Sequence, residues 1–413
     1  MRQFICLLVV ISCSYTFPVV ESQAKSAAKS MTKLVLWHSY RAEEKRALEK
    51  VVKLFHKKQN QIRVKVLAIP YDAYADKINA AIPIGHGPDV FIFAHDRIGD
   101  WAKNKILEPI TFWVNGPLLA RFYPKTVRAL AYNNALYGLP MAFKSVALFY
   151  NKKMVQKPPT TTKELLALAK KLTDRKKNIY GLAYEATNFY FHAPWFHGFG
   201  ARVFLKGKQG RASLGISSEA AVKALTFARD LMRKHKVLPA EPTSHLISSL
   251  FNQGKAAIVL NGPWFRGEIS PKIQYGVAPL PKVSATGKTA SPFLTSEAIL
   301  LSRKSKNKRA AFTLMKFLTS KTSAMLRMKI GKQTVANHVV YKSAEAKKDP
   351  VLMAFHAQMQ KAIPMSNSPK MRMVWTPMLH AMGKVFRGQA TVKAALTKAY
   401  TEIANKIFPK KKK

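Results

Sequence analysis

Acidic residues and cysteine are what this sequence has least of. Its 413 residues carry 21 Asp+Glu against 69 Lys+Arg, a net charge of +48, and two cysteines, Cys6 and Cys13. Both cysteines lie in a leader-like stretch: one cation at Arg2, an apolar run from Phe4 to Ile11, and a small-residue exit at Ser22-Gln23-Ala24. That pattern reads as a secretory signal peptide over residues 1–24. A chain cut after Ala24 has no thiol, which excludes a disulfide scaffold and cysteine catalysis. The alternative end of the same export route is a lipid anchor on Cys13, within Val10-Ile11-Ser12-Cys13. No later apolar stretch approaches the roughly 20 residues of a membrane helix.

Motifs for metal and cofactor chemistry are also missing. The eleven histidines form no His-Glu-x-x-His and no His/Cys cluster, so no metal site and no cofactor is expected. Gly198-Phe199-Gly200 lacks the third glycine of a dinucleotide fingerprint, and Gly287-Lys288-Thr289 fails as a phosphate loop because Lys282 stands where its first glycine belongs. There is no Gly-x-Ser-x-Gly elbow. With acids so scarce, the carboxylate pair of a secreted glycosidase is a minor alternative, and the expected protein is not an enzyme.

A charge this large points first to a polyanion partner. The lysines, however, are spread through every predicted helix and loop, and only Pro409-Lys410-Lys411-Lys412-Lys413 is a pure run. A specific nucleic-acid site is therefore not expected, and a polyanion-binding basic surface protein is kept as the alternative. Life in an acidic medium is a second explanation, since few ionised carboxylates would then be at stake in folding.

What is present is a globular composition, 48% hydrophobic, over a length that favours two domains. Lys33-Leu34-Val35-Leu36-Trp37 reads as a strand, with Ser39 as the cap of a helix over Ala42 to Lys58 whose apolar positions fall at helical spacing. Ile62 to Ile69 alternates as a strand, Pro70 ends it, and a second helix runs to about Ala81. After the turn Gly85-His86-Gly87-Pro88 comes the unbroken apolar run Val90-Phe91-Ile92-Phe93, a strand covered on both faces. This β-α-β-α-β order predicts a parallel sheet. Ligands of such sheets bind beyond the carboxyl ends of the strands, where Asp96 and Arg97 stand.

Further on, Asp100 to Lys105 is a short helix, and the run Met141 to Tyr150 is long enough to pass between domains. Thr161 or Thr162 caps a helix to Leu172, Ser217-Ser218-Glu219 opens another, and Lys255 to Leu260 is a strand closed by Asn261-Gly262-Pro263-Trp264. A helix follows over about Lys306 to Leu318, and Val374 to Ile407 reads as helical with Gly383 and Gly388 as interruptions. Phe189 to Phe196 is the densest aromatic cluster. Rings at turns and strand ends stack on pyranose faces, while planar polar groups bond vicinal hydroxyls. Each ring also fits core packing, least so Trp264 after its Asn-Gly-Pro turn.

Four stretches, in order over nearly the whole mature chain, resemble the maltose/maltodextrin-binding proteins of sugar ABC importers. They are Gly87-Pro88-Asp89 running to Phe93-Ala94-His95-Asp96-Arg97 and Trp101; Pro140-Met141-Ala142 leading to Leu148-Phe149-Tyr150-Asn151-Lys152; Asn261-Gly262-Pro263-Trp264; and Pro369-Lys370-Met371 leading to Trp375. The resemblance implies an α/β, two-lobed periplasmic binding protein fold (type II), each lobe a sheet flanked by helices, closing on ligand by a hinge. It implies an N-terminal lobe of residues 33–142 plus 299–345 and a C-terminal lobe of 147–293 plus 351–413. It also implies a monomer in the periplasm that binds an oligosaccharide and delivers it to an inner-membrane ABC permease.

By the same resemblance Phe93, Tyr190, Trp264 and Trp375 would stack on sugar, and Asp96 and Arg97 would bind hydroxyls. Lys144 and Asn188 stand where the family's maltose binders have glutamates. The turn His38 to Ala42 lacks the expected Asp-Lys, Arg266 replaces a tryptophan, and Leu379 replaces an arginine. An ammonium only donates where a carboxylate only accepts. Lys144 would therefore either meet an anionic group, such as a uronic acid or phosphate, or point to solvent.

Overall fold

A computed structural model describes residues 31–206 and 212–408. The expected signal peptide, Cys13 and the lysine tail lie outside the described residues. The chain begins with β1 (Thr32–His38), α1 (Ala42–Lys58), β2 (Ile62–Ala68), α2 (Tyr71–Ala81) and β3 (Val90–Ala94). It continues through α3 (Ile98–Lys103), the short helices α4 (Gly116–Leu119) and α5 (Pro124–Arg128), a small ladder of β4 (Ala131–Tyr132) and β5 (Ala135–Leu136), and β6 (Gly138–Lys144). Then come β7 (Ala147–Asn151), α6 (Thr162–Leu172), β8 (Tyr180–Ala183), α7 (Phe189–Gly198), the hairpin β9 (Phe204–Lys206) and β10 (Ala212–Leu214), α8 (Glu219–Arg233), α9 (Ser244–Asn252), β11 (Ala256–Asn261) and β12 (Tyr275–Ala278). The last part is β13 (Phe293–Leu301), α10 (Lys308–Leu318), α11 (Lys321–Gly331), α12 (Ala344–Lys347), α13 (Pro350–Lys361), β14 (Ile363–Pro364), α14 (Pro369–Arg387) and α15 (Val392–Ile407).

Two sheets organise these elements into two lobes. The first is six-stranded, in the order β14-β13-β3-β1-β2, with β6 pairing on β13. Strand β1 is parallel to both β2 and β3, as the β-α-β-α-β reading predicts. Strand β13, buried at all nine positions, runs antiparallel to β3 and to β6 and joins the early part of the lobe to the late one. The second sheet is four-stranded, β12-β7-β11-β8. Only Ser145 and Val146 separate β6, in the first sheet, from β7, in the second. The run Met141 to Tyr150 is therefore two strands in two sheets.

Capping chemistry explains several boundaries. Thr161 accepts from Glu164 N at the start of α6, and Ser218 from Ala221 N at the start of α8. Ser39 does not cap α1, which starts after Arg41 with no side-chain cap. The helix placed at Asp100 to Lys105 begins two residues earlier, at Ile98. Gly388, with φ +75°, ends α14 in the left-handed conformation that glycine adopts without steric cost. Gly383, by contrast, lies buried within α14 and interrupts nothing.

One apolar core fills the first lobe and a second lies under α7, α8, α14 and α15. A third joins Phe149, Val259 and Phe265 of the second lobe to Ala324, Met328 and Val335. The segment from α11 to α12 thus shares its apolar face with the second sheet while α11 also packs on α1.

Candidate functional site

The site is built where β3, β6 and β13 of the first lobe meet α7, α14 and the turn after β11 of the second. At the end of β3 the chain enters a single 3-10 turn, His95–Arg97. His95 is fully buried: its Nε2 lies 2.8 Å from Met365 O, and its Nδ1 accepts from Ser296 N at 3.0 Å. A carbonyl can only accept, so Nε2 carries the proton and Nδ1 is the acceptor. Burial lowers the His95 pKa and keeps the ring neutral. This anchor fixes the next two residues at the mouth of the sheet. Arg97 Nε stands 3.8 Å from Asp96 Oδ2 and both side chains stay partly exposed. Burial raises the Asp96 carboxyl, against the pull of His95 and Arg97.

A second polar cluster occupies the end of β6. Lys144 Nζ lies 3.0 Å from Glu297 Oε1 and 3.9 Å from Glu44 Oε1. Tyr40 donates its hydroxyl to the other Glu297 oxygen at 2.7 Å. Glu44 accepts from Gln333 Nε2 at 3.0 Å, Gln333 accepts from buried Arg327 at 3.1 Å, and Arg327 also donates to Met141 O at 3.0 Å. Burial alone would lower the Lys144 pKa, but the Glu297 and Glu44 charges outweigh it and hold the ammonium above its ordinary range. Burial raises Glu44, with Lys144 opposing. Lys144 therefore neither points free to solvent nor stands as an open cation; it is clamped between two carboxylates.

The second lobe supplies an aromatic wall. Tyr190, in the first turn of α7, stacks near Phe293 at 6.3 Å between centroids and meets Trp264 at 6.3 Å; Phe293 in turn lies 6.1 Å from Trp375. The Tyr190 hydroxyl reaches across to Thr295 Oγ1 at 3.5 Å. Burial pushes its pKa up to about 12, while the Lys144 charge pulls the other way. Trp264 sits where it does because of Gly262: a Cβ there would lie 2.1 Å from the indole, so only glycine lets the ring fold back onto its own turn.

Two sequence expectations change. Phe93 does not present a stacking face: it is 5% exposed, packed edge-on to Trp101 at 4.9 Å and covered by Tyr71 at 6.1 Å with an interplanar angle of 12°. The exposed ring is Tyr71, 60% exposed, and its hydroxyl feels the charges of Asp96, Lys144, Arg97 and Glu297. Asn188 is turned onto its own helix, accepting from Tyr190 N at 3.0 Å and donating to Glu185 at 3.2 Å. It holds the start of α7, and so Tyr190, in place. Arg266 pairs with Asp349 at 3.0 Å, and Leu379 is exposed one helical turn beyond Trp375.

Sequence reasoning missed Tyr71, Tyr40, Glu44, Thr295 and Glu297. Two signals were there. Tyr71 stands after Pro70, just past the end of β2, as Asp96 stands just past the end of β3. Glu297 is the lone charge in β13, Phe293 to Leu301, all of it buried, and a charge in a buried strand calls for a partner. Among the described residues no group of His, Cys, Asp and Glu could hold a metal ion.

Comparison with known proteins agrees with this architecture. Residues 39–325 match the family described as bacterial extracellular solute-binding protein. The chain is 31% identical over 378 residues to a maltotriose-binding protein of Pyrococcus abyssi, covering 90% of this chain and 82% of that one. It is 29% identical over 405 residues to a galactooligosaccharide-binding protein of Bacillus subtilis, covering 96% and 94%. Among solved structures it is similar to a cyclo/maltodextrin-binding protein complexed with maltotetraose, with TM-score 0.81, 32% identity and coverage of 94% of this chain and 100% of that one. The Thermus thermophilus maltotriose-binding protein with maltotriose gives TM-score 0.82, 30% identity and coverage of 91% and 100%. With the family model matched over most of its length and two lobes of the same build, the chain belongs to the bacterial extracellular solute-binding proteins.

Proposed function

We propose that this protein captures an oligosaccharide of the maltodextrin kind between its lobes and delivers it to the permease of an ABC importer, acting outside the cytoplasmic membrane as a monomer and without catalysis. The observation that carries the reading is the pairing of two unlike walls on one cleft. Tyr190, Trp264 and Trp375 offer ring faces for pyranose C–H surfaces, opposite Asp96, Arg97, Lys144 and Glu297, which offer acceptors and donors for hydroxyls. Tyr71, rather than Phe93, is the stacking ring of the first lobe.

The lobes are taken as residues 33–142 plus 299–345 and 147–293 plus 351–413, with the hinge at the crossings near Ser145, Phe293 and residues 344–351. A ligand touching both walls stabilises the closed form; moving an open:closed ratio from 1:99 to 99:1 takes about 5.5 kcal/mol. Ring stacking at roughly 1 kcal/mol per contact, with charge-assisted hydrogen bonds at about 1.5–3 kcal/mol each, reaches that total. The relatives named for maltotriose and for galactooligosaccharide support an oligosaccharide without choosing between the two. The test is a thermal-shift and calorimetry panel of malto- and galacto-oligosaccharides. A saturating shift with at least one is expected, since ligand at 100 times its Kd stabilises by about 2.7 kcal/mol. No shift with any of them would overturn the reading.

A further inference from the structure

The scarcity of acids makes their placement informative. In a chain with 69 cationic side chains against 21 acidic ones, both cations at the mouth of the first lobe nonetheless have a carboxylate beside them: Arg97 has Asp96, and Lys144 has Glu297 and Glu44. Glu297 is the stronger partner of Lys144, at 3.0 Å against 3.9 Å. It is also held rigidly, by the Tyr40 hydroxyl and by its place on β13 opposite Ala142, beside the bulge between Glu297 and Ala298. The ammonium is thus locked to β13 and its charge is cancelled locally, while its partly exposed side chain remains next to Tyr71 and Tyr190.

We propose that Glu297, assisted by Glu44, is a specificity-determining residue: by clamping Lys144 it denies the cleft a free cation and so discriminates against uronic-acid or phosphorylated glycans, which the basic surface of this protein would otherwise draw in. The inference rests on the oligosaccharide reading and deepens it. Two properties follow. A uronate that reaches Lys144 must share it with Glu297 at 3.0 Å, and a like-charge juxtaposition of this kind opposes binding. The attraction exerted by the surface lysines is long-range and screened by salt, so any residual uptake of acidic glycan is non-specific and salt-sensitive.

The experiment is calorimetric titration of the full chain with maltotriose, galactotriose and trigalacturonate at about 50 and about 300 mM salt, between which the screening length falls from roughly 14 to roughly 6 Å. The wild type should bind a neutral trimer with little salt dependence and trigalacturonate at least about tenfold more weakly, the latter binding disappearing at high salt. Glu297→Gln should raise trigalacturonate affinity by about tenfold or more relative to the neutral trimer. Glu297→Gln combined with Lys144→Met should abolish that gain, because the freed cation is gone. Glu44→Gln, which leaves the main clamp and the Tyr40 contact intact, should give a smaller gain in the same direction and serves if the Glu297 variant does not fold. Wild-type binding of trigalacturonate as tight as the neutral trimer and insensitive to salt would overturn the inference while leaving the oligosaccharide reading in place, as would unchanged selectivity in Glu297→Gln and Glu44→Gln. Binding of none of the three trimers overturns the oligosaccharide reading and the inference with it.

Discussion

The two walls of the cleft are made from different chemistry, and the chain builds them in different ways. On the first lobe the wall is charged and hydrogen-bonded: Asp96 beside Arg97, then Lys144 between Glu297 and Glu44, with Tyr40, Gln333 and Arg327 behind. On the second lobe it is aromatic, with Tyr190 against Trp264 and with Tyr190 and Trp375 joined through Phe293 at the start of β13. Ring faces tolerate many sugars because stacking is only weakly directional, whereas fixed donors and acceptors choose among hydroxyl patterns. On the proposed reading, generic affinity would come from the second lobe and selectivity from the first. A contact set split in this way also favours closure, since neither wall alone supplies both.

The largest effect expected from breaking this contrast is at Lys144. Lys144→Met leaves two mostly buried carboxylates facing each other, and removing one partner of a buried pair costs about 3 kcal/mol, read as a lower urea midpoint. Lys144→Met with Glu297→Met should recover much of the loss, because apolar replacement of both partners is close to neutral; a double variant as unstable as the single would break the account of the clamp.

Acid comes next, and each wall carries a buried histidine. Burial lowers His38, at the end of β1, to about 4 and His192, in α7, to about 3, with the nearby Lys45 and His197 charges adding to the respective shifts. The unfolded chain binds these protons near the ordinary value of 6.5 and the folded chain does not. The stability each neutral ring contributes is therefore intact above about pH 6.5 and falls as pH drops toward 4, at up to about 1.4 kcal/mol per unit. The raised carboxyls Glu44 and Asp96 of the first wall, and Glu185 beside α7 of the second, act in the opposite sense, so each wall partly offsets its own loss. Because the His192 shift is the larger of the two, His192→Phe should flatten the dependence of Tm on pH between 6.5 and 4 more than a substitution at His38 does. The same cost limits how far sparse acids alone could fit the protein to an acidic medium.

Stacking is the third test. Trp264→Ala should weaken oligosaccharide binding by about tenfold, or roughly 1.4 kcal/mol, in calorimetry, and Tyr71→Ala should do so to a similar degree. Unchanged affinity in Tyr71→Ala would confine stacking to the second lobe and sharpen the division between walls. The smallest effect is expected from Asn188→Ala, which removes a helix cap worth about 1 kcal/mol and is measured as a lower Tm with a modest loss of affinity through Tyr190.

Much of the fold was legible because local rules and the fold agree. The spacing of Leu48, Val51, Val52 and Phe55 names α1, the run Val90 to Phe93 names a doubly covered strand, and Thr161 and Ser218 mark helix starts through their own hydroxyls. Strand β13 was harder to see, since nine buried residues in a row carry no alternation to reveal a strand. Asp96, Arg97, Tyr190, Trp264 and Trp375 were proposed from the family resemblance, and the contacts among them and their neighbours were not legible in the sequence. The roles of Phe93 and Asn188 were not, because Tyr71 covers the first ring and the second residue bonds its own helix.

By itself, then, the sequence determined the elements, their β-α-β order, the scarcity of acids and the aromatic stock of the second lobe, since these depend on residues close together in the chain. The tertiary structure alone decided which charges meet. Lys144, Glu297, Glu44 and Gln333 are separated by up to 289 positions, and no local rule states that β6 and β13 will lie side by side. Burial strengthens every interaction between charges once water is removed, so that chance of topology turns a stray lysine into the locked centre of the cleft.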